Sequence, residues 1–268
     1  MSFGRLPESA PDATGLTGRD RAGVLTSVVL LALAAAAWAR VLLVPMVDDM
    51  PGMGMVMRPT VADGLAYVAA WTIMMAAMML PSALPMIGLY AATQRNASPR
   101  GRVVTVALFT SIYLGLWALT GVPIYLGSVA LGALTQKALA YGVAGTLVVA
   151  GLFQVSPLKQ TCLRHCRSPL GFLFGHWRPG WRGGLEMGWA HALYCLGCCW
   201  ALMVVLVVAG AMGLPWVLLI AAAVAAEKLV PWGDRIAYVI GAVLILLGVA
   251  VAVRPDLAIV LWSASGST

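Results

Sequence analysis

Long apolar segments, separated by short polar links, constrain the fold of this 268-residue chain more than any other feature. Hydrophobic residues make up 61% of the chain and charged residues only 10%, whereas soluble domains are about 45–50% apolar and about 25% charged. Apolar segments of about 20 residues cross a bilayer as helices, because lipid cannot hydrogen-bond exposed backbone groups. The sequence therefore predicts an all-α, polytopic transmembrane helix bundle of about seven spans. The predicted spans are 23–44, 64–90, 103–131, 138–155, 184–211, 214–230 and 235–253.

The predicted spans leave little sequence outside the membrane. We expect residues 1–22 to form a polar cytoplasmic tail and residues 23–262 to form a single transmembrane domain. No small-residue cleavage site follows the first apolar run, so we interpret that run as an anchor rather than a removable signal peptide. Pro81 and Pro85 are expected to bend or end the second helix near its exit. The basic segment between the fourth and fifth spans, interrupted by Pro and Gly, is predicted to be a loop.

Basic residues are distributed unevenly across this predicted topology. With a cytoplasmic N-terminus, only Arg58, Lys137 and Arg254 lie outside, and Arg40 lies at the end of the first span. All other Lys and Arg residues then lie on the inner side. This is the positive-inside pattern of a multi-pass protein, here expected in the plasma (inner) membrane. It accounts for the net charge of +7 without a nucleic-acid partner.

The fifth predicted span carries sulfur and imidazole side chains at helical spacing. Residues three or four positions apart on a helix lie on one face, stacked a turn apart. Thiolate, thioether and imidazole suit Cu(I), while thiolate and imidazole also suit Zn(II). A histidine inside a membrane usually marks a functional site, so we predict a soft-metal site on this helix. Its candidate ligands are Met187, His191, Cys195, Cys198, Cys199 and Met203.

The second predicted span adds a group of thioethers. Met74 and Met78 share one helix face, and Met75 and Met79 share the neighbouring face. Counted inward at about 1.5 Å per residue, these methionines reach the same depth as the cysteines of the fifth span. We therefore predict that the two groups meet in one mid-membrane site if spans two and five pack together.

Two segments outside the spans carry further soft ligands. On the inner side, Cys162, His165 and Cys166 lie beside Arg164 and Arg167. Nearby cations lower the pKa of a thiol, so this segment is predicted to be a metal entry or exit point. The outer link is rich in thioethers, which hold Cu(I) without titrating. Its methionines are Met46, Met50, Met53, Met55 and Met57, around Asp48 and Asp49.

Three charged residues lie near the inner ends of predicted spans. Glu186 is at the mouth of the fifth span, and Glu227 and Lys228 are near the end of the sixth. Charges at such depths are usually paired. Adjacent residues on a helix do not face each other, so we expect Glu227 and Lys228 to have partners on other helices. Glu186 is a weak candidate ligand.

Four sequence motifs resemble those of the family of predicted metal-binding integral membrane proteins. They read WTIMMAAMMLPSALP, SPLKQTCLRHCRSP, YCLGCCWALM followed by GAMGLPW, and AEKLVPWGDR, and they span about residues 64–235. That family includes the membrane copper chaperone of a bacterial polyphenol oxidase (tyrosinase). The resemblance implies metal handling, with copper delivery to a cuproenzyme as the expected role. The positions it emphasises are Cys162, Cys166, Cys195, Cys198, Cys199, Met74, Met75, Met78 and Met79.

We therefore interpret the chain as a non-enzymatic membrane metal-binding protein. It is predicted to be a Cu(I) chaperone or conduit with a cuproenzyme client, and it carries no ATPase motif that would require a nucleotide. The alternative is a membrane thiol–disulfide oxidoreductase that uses paired cysteines with a quinone. Against it, both cysteine groups are predicted to be inside or buried, away from the compartment where disulfides form. Haem binding is disfavoured because His191 is the only intramembrane histidine.

Overall fold

A computed structural model describes residues 14–43, 60–94, 97–132, 134–176, 178, 180–208 and 214–258. Within these ranges the regular secondary structure is entirely helical, which confirms the predicted all-α class. The described helices are α1 (Thr14–Leu43), α2 (Val61–Thr93), α3 (Pro99–Gly132), α4 (Gln136–Gln154), α5 (Pro157–Arg167), α6 (Pro169–His176), α7 (Gly180–Val208), α8 (Leu214–Leu229) and α9 (Gly233–Val253).

Six of the described helices are long and apolar enough to cross a bilayer. They correspond to six of the seven predicted spans, so the chain is a polytopic helical membrane protein. Helix α8 lies where the span 214–230 was predicted. It has 16 described residues, fewer than the roughly 20 that a bilayer requires. The six spanning segments are Leu25–Leu43, Val61–Thr93, Arg100–Leu131, Gln136–Gln154, Gly180–Val208 and Gly233–Val253.

Helix α2 continues through both of its prolines. It begins at a capping box in which Thr60 and Asp63 each accept a hydrogen bond from the other's backbone N–H, and it ends only at Thr93. Of the two expected effects of Pro81 and Pro85, an end of the helix is therefore wrong, and a bend stays a prediction. Proline leaves a backbone carbonyl without its helical partner, but such helices persist in membranes where neighbouring helices and hydroxyl side chains satisfy the backbone. Pro81 is half-buried and Pro85 is exposed, while the Ser82 hydroxyl between them donates to the Met79 carbonyl at 2.9 Å.

The basic segment between α4 and α7 is helical, so the prediction of a loop there is wrong. Ser156 caps α5 by accepting a hydrogen bond from the Lys159 N–H at 3.2 Å. Ser168 accepts one in the same way from the Gly171 N–H at 3.3 Å. Proline follows each serine, and its fixed φ favours the first position of a helix. Because Leu163 on α5 is fully buried, this segment packs into the bundle.

Helix α7 is held against α3 by close contact between their backbones. A Cβ atom on Gly184 would lie 2.6 Å from the Thr105 carbonyl oxygen, and one on Gly188 would lie 2.7 Å from the Phe109 carbonyl oxygen. Small residues permit such an approach in membrane helix pairs. Helix α4 packs along α9, and α2 lies between α1 and α3. The α7–α3 contact brings the cysteines of α7 beside Tyr113 of α3.

Candidate metal centre

Four buried thiols gather where α5 packs on α7, and we call them the thiol cluster: Cys166, Cys195, Cys198 and Cys199. The Cys198 sulfur lies 3.3 Å from that of Cys199 and 3.8 Å from that of Cys166. Four sulfurs bound to one tetrahedral zinc ion at about 2.3 Å lie about 3.8 Å apart. The spacing around Cys198 is therefore close to that of ligands around one ion.

The thiol cluster is not a finished coordination shell. Within the described ranges, no group of three or more His, Cys, Asp or Glu side chains is already arranged to hold a metal ion. All five cysteines of the chain are described, and all are free thiols. The cluster is therefore a concentration of soft donors that requires small side-chain movements to surround an ion.

Lys228 of α8 brings a positive charge to the thiol cluster. Its ammonium group donates to the Cys195 sulfur at 3.1 Å and to the Ser82 hydroxyl at 3.3 Å, and it lies 3.8 Å from the Met79 sulfur. The Tyr113 hydroxyl lies 3.1 Å from the Cys195 sulfur and donates to the Met79 carbonyl at 3.5 Å. Side chains from α3 and α8 thus contact the Cys195 sulfur of α7, and the same two side chains connect it to α2.

The methionines of α2 approach the thiols indirectly. Helices α2 and α7 are not a closely packed pair; each packs instead on α3 and touches α8. The described contacts join Met79 to Cys195 through Lys228 and Tyr113. The predicted meeting of the two groups thus occurs at Met79, although the expected packing of spans two and five is replaced by bridging side chains. The other three methionines, Met74, Met75 and Met78, are buried in the same core.

His191 lies one helical turn from Cys195 and is enclosed by aromatic rings. Its ring centroid is 5.6 Å from those of Tyr113 and Phe172 and 5.9 Å from that of Phe109. Its Nδ1 atom is buried without a hydrogen-bond partner. The whole stripe on α7 faces the protein interior. Met187, His191, Cys195, Cys198, Cys199 and Met203 are all buried.

The three candidate ligands of α5 separate into different surroundings. Cys166 faces the thiol cluster, whereas Cys162 is half-buried over Gly197 of α7. A Cβ atom on Gly197 would lie 2.8 Å from the Cys162 sulfur, so the glycine provides space for this thiol. His165 stacks on the Tyr194 ring with centroids 4.1 Å apart. Cys162 is therefore the thiol nearest to the surface.

The expected effect of the arginines on the α5 thiols is wrong for Cys162. Burial raises the pKa of the Cys162 thiol above its ordinary value. Arg167 directs its guanidinium group to the Asp234 carboxylate at 2.7 Å and to the Val230 carbonyl at 2.9 Å. The Arg167 guanidinium group thus joins the end of α5 to the α8–α9 link and the start of α9. Arg164 is exposed.

A buried ion pair, Glu227 with Lys159, lies where α8 meets α5. The Glu227 carboxylate accepts from Lys159 at 2.7 Å and from the Gln154 amide at 2.7 Å, and Lys159 also donates to Gln154. These contacts join α4, α5 and α8, which confirms the expectation that Glu227 has a partner on another helix. Glu186, the weak candidate ligand, is exposed and pairs with Arg178 at 3.4 Å.

Comparison with known proteins gives the chain its family. The profile of the PpoB2 family, described as a copper chaperone, matches residues 68–251. This range covers more than half of the chain and includes the thiol cluster and Lys228. The chain belongs to the PpoB2 copper chaperone family. The match confirms the resemblance found in the sequence, whereas no curated protein and no solved structure matches the chain.

Several residues around the PpoB2 thiol cluster were not predicted as site residues from the sequence. Tyr113 and Ser82 are ordinary residues of apolar helices, so only the fold reveals that they point to Cys195 and Lys228. A buried position for Lys159 could have been predicted from the sequence, because this residue follows a Ser-Pro helix start close to an apolar span. The Met-rich link 46–57 lies outside the described residues.

We expect Glu227→Ala to destabilise this PpoB2 protein by about 3–5 kcal/mol, because it leaves the Lys159 ammonium buried without its anion. The double variant Glu227→Ala, Lys159→Met removes both charges and should recover most of the loss. Unfolding of the detergent-solubilised protein measures both values. A single variant as stable as the parent protein would contradict this account of the pair.

Proposed function

We propose that this PpoB2-family protein holds Cu(I) as cargo at the thiol cluster and passes it to a copper-requiring enzyme. The observation that carries the proposal is the position of Cys198, whose sulfur lies within 3.8 Å of thiols from both α5 and α7. Thiolates are soft donors that suit Cu(I), and a copper chaperone family supports this choice of ion.

The ligands have different expected roles. The four thiols are the principal donors, with Met79 and His191 as neighbours able to take part during exchange. Met74, Met75, Met78, Met187 and Met203 are buried in the same core as these donors and keep water away from the ion. An incomplete coordination shell suits a cargo ion, because the protein must also release it. Cys162, which is half-buried and one helical turn from Cys166, is the proposed point of entry or exit.

In the proposed topology, the chain crosses the plasma (inner) membrane seven times, and its N-terminus lies in the cytoplasm. The uneven distribution of Lys and Arg supports this orientation. Helix α8 is the sixth of these spans in chain order, and its 16 described residues account for about 24 Å of its length. Residues 1–22 then form the cytoplasmic tail, and residues 23–262 form the membrane domain.

An epitope tag at Met53 tests this topology in intact cells. The tag is expected to be accessible from outside without permeabilisation, because residue 53 lies in the first outer link. A tag at Ser2 serves as the control and is expected to become accessible only after permeabilisation. The opposite pattern of accessibility would contradict the orientation.

Copper binding by the purified protein tests the proposed site. The parent protein is expected to bind Cu(I) stoichiometrically under reducing, anaerobic conditions. The triple variant Cys195→Ser, Cys198→Ser, Cys199→Ser should lose more than about 100-fold in affinity, since changes beside a metal already cost 10–100-fold. Metal analysis and competition with a Cu(I) chelator measure this loss.

Glu186→Gln is the matched control for the copper experiment, because Glu186 lies on the same helix but is exposed. It should bind Cu(I) like the parent protein. Unchanged copper content in the triple variant would overturn the proposed site. Quinone-dependent thiol oxidation without bound metal would instead favour the oxidoreductase.

A further inference from the structure

Lys228 is a buried cation without a carboxylate partner in the described part of the chain. The neighbouring residue, Glu227, does not supply one. Its two carboxylate oxygens accept from Lys159 and Gln154 instead. The Lys159–Glu227 pair is neutral in itself, so it leaves the charge of Lys228 uncompensated.

The thiol cluster is the group in position to compensate that charge. Lys228 lies 3.1 Å from the Cys195 sulfur, and its other contacts, to Ser82 and Met79, are with neutral groups. A buried charge without a counter-charge is costly even after the surrounding protein relaxes. Metal ions bind cysteine as the thiolate, so a loaded cluster supplies negative charge next to this ammonium group.

We propose that Lys228 is the counter-charge of the loaded thiol cluster and makes the cluster selective for a monovalent soft cation over a divalent one. This inference rests on the proposed function. When two of the four thiols are ionised and the other two keep their protons, the cluster and its Cu(I) carry one net negative charge, which Lys228 neutralises. Two thiolates and Zn(II) are neutral in themselves, so Lys228 then leaves one positive charge buried in the bundle.

Coulomb repulsion acts in the same direction. At any distance and dielectric constant, the Lys228 ammonium repels a divalent ion twice as strongly as a monovalent one. A third thiolate would restore neutrality around Zn(II), but it would also require another buried thiol to lose its proton. The same donors therefore bind Cu(I) at a lower cost than Zn(II) while Lys228 is present.

Competition between Cu(I) and Zn(II) in the full-length, detergent-solubilised protein tests this inference. Affinities are measured against a Cu(I) chelator and a Zn(II) chelator under anaerobic, reducing conditions. Lys228→Met removes the charge and is expected to lower the ratio of Cu(I) affinity to Zn(II) affinity by about 10–100-fold. Lys228→Arg keeps the charge and should keep the ratio within about threefold of the parent value.

Two further variants separate charge from folding. Lys137→Met removes an exposed lysine on α4 and should leave the ratio unchanged. Ser82→Asp keeps Lys228 and places a carboxylate beside it, because the Ser82 hydroxyl is 3.3 Å from the ammonium group. This variant should also lower the ratio, by about 10-fold or more, whereas its neutral counterpart Ser82→Asn should not. Ser82→Asp thus tests the charge argument even if Lys228→Met fails to fold.

The outcomes distinguish this inference from the proposed function. Equal changes in Cu(I) and Zn(II) affinity in Lys228→Met, or an unchanged ratio in Ser82→Asp, would show that Lys228 only attaches α8 to α7 and would overturn the inference. Those results would leave copper binding by the parent protein intact. Failure of the parent protein to bind Cu(I) would instead overturn the proposed function.

Discussion

Two adjacent residues at the end of α8, Glu227 and Lys228, carry opposite charges into the interior of the helix bundle. They do not face each other, so each requires a partner on another helix. Glu227 binds Lys159 of α5, while Lys228 reaches Cys195 of α7. The Glu227–Lys159 ion pair and the hydrogen bond from Lys228 to Cys195 join α5 and α7, and therefore their thiols, to the end of α8. The candidate metal centre depends on this arrangement.

Helical periodicity predicted much of the bundle and the inward face of α7. Spans could be located because a bilayer requires long apolar helices, and six of them occur at the expected places. Residues four apart on α7, such as His191 and Cys195, are buried together because the helix repeats every 3.6 residues. Local spacing determines which residues share a helix face, so this part of the site could be predicted from the sequence.

The residues that pack against this face of α7 were harder to predict from the sequence. Depth in the membrane matched Met79 to the cysteines, but depth cannot specify which helices are neighbours. That choice depends on Gly184 and Gly188, which bring α7 against α3 and so place Tyr113 between the two groups. The basic composition of the segment after α4 suggested a loop in water, although its Ser-Pro pairs indicated helix starts. The charges of Lys159 and Arg167 are compensated by tertiary contacts, which sequence spacing does not reveal.

This member of a copper chaperone family concentrates four thiols inside its helix bundle. X-ray absorption at the copper edge of the Cu(I)-loaded, full-length protein tests this central claim most directly. The account predicts Cu(I) in a shell dominated by sulfur, because the four thiols and Met79 are the donors that lie together. A shell made only of nitrogen and oxygen ligands would contradict it.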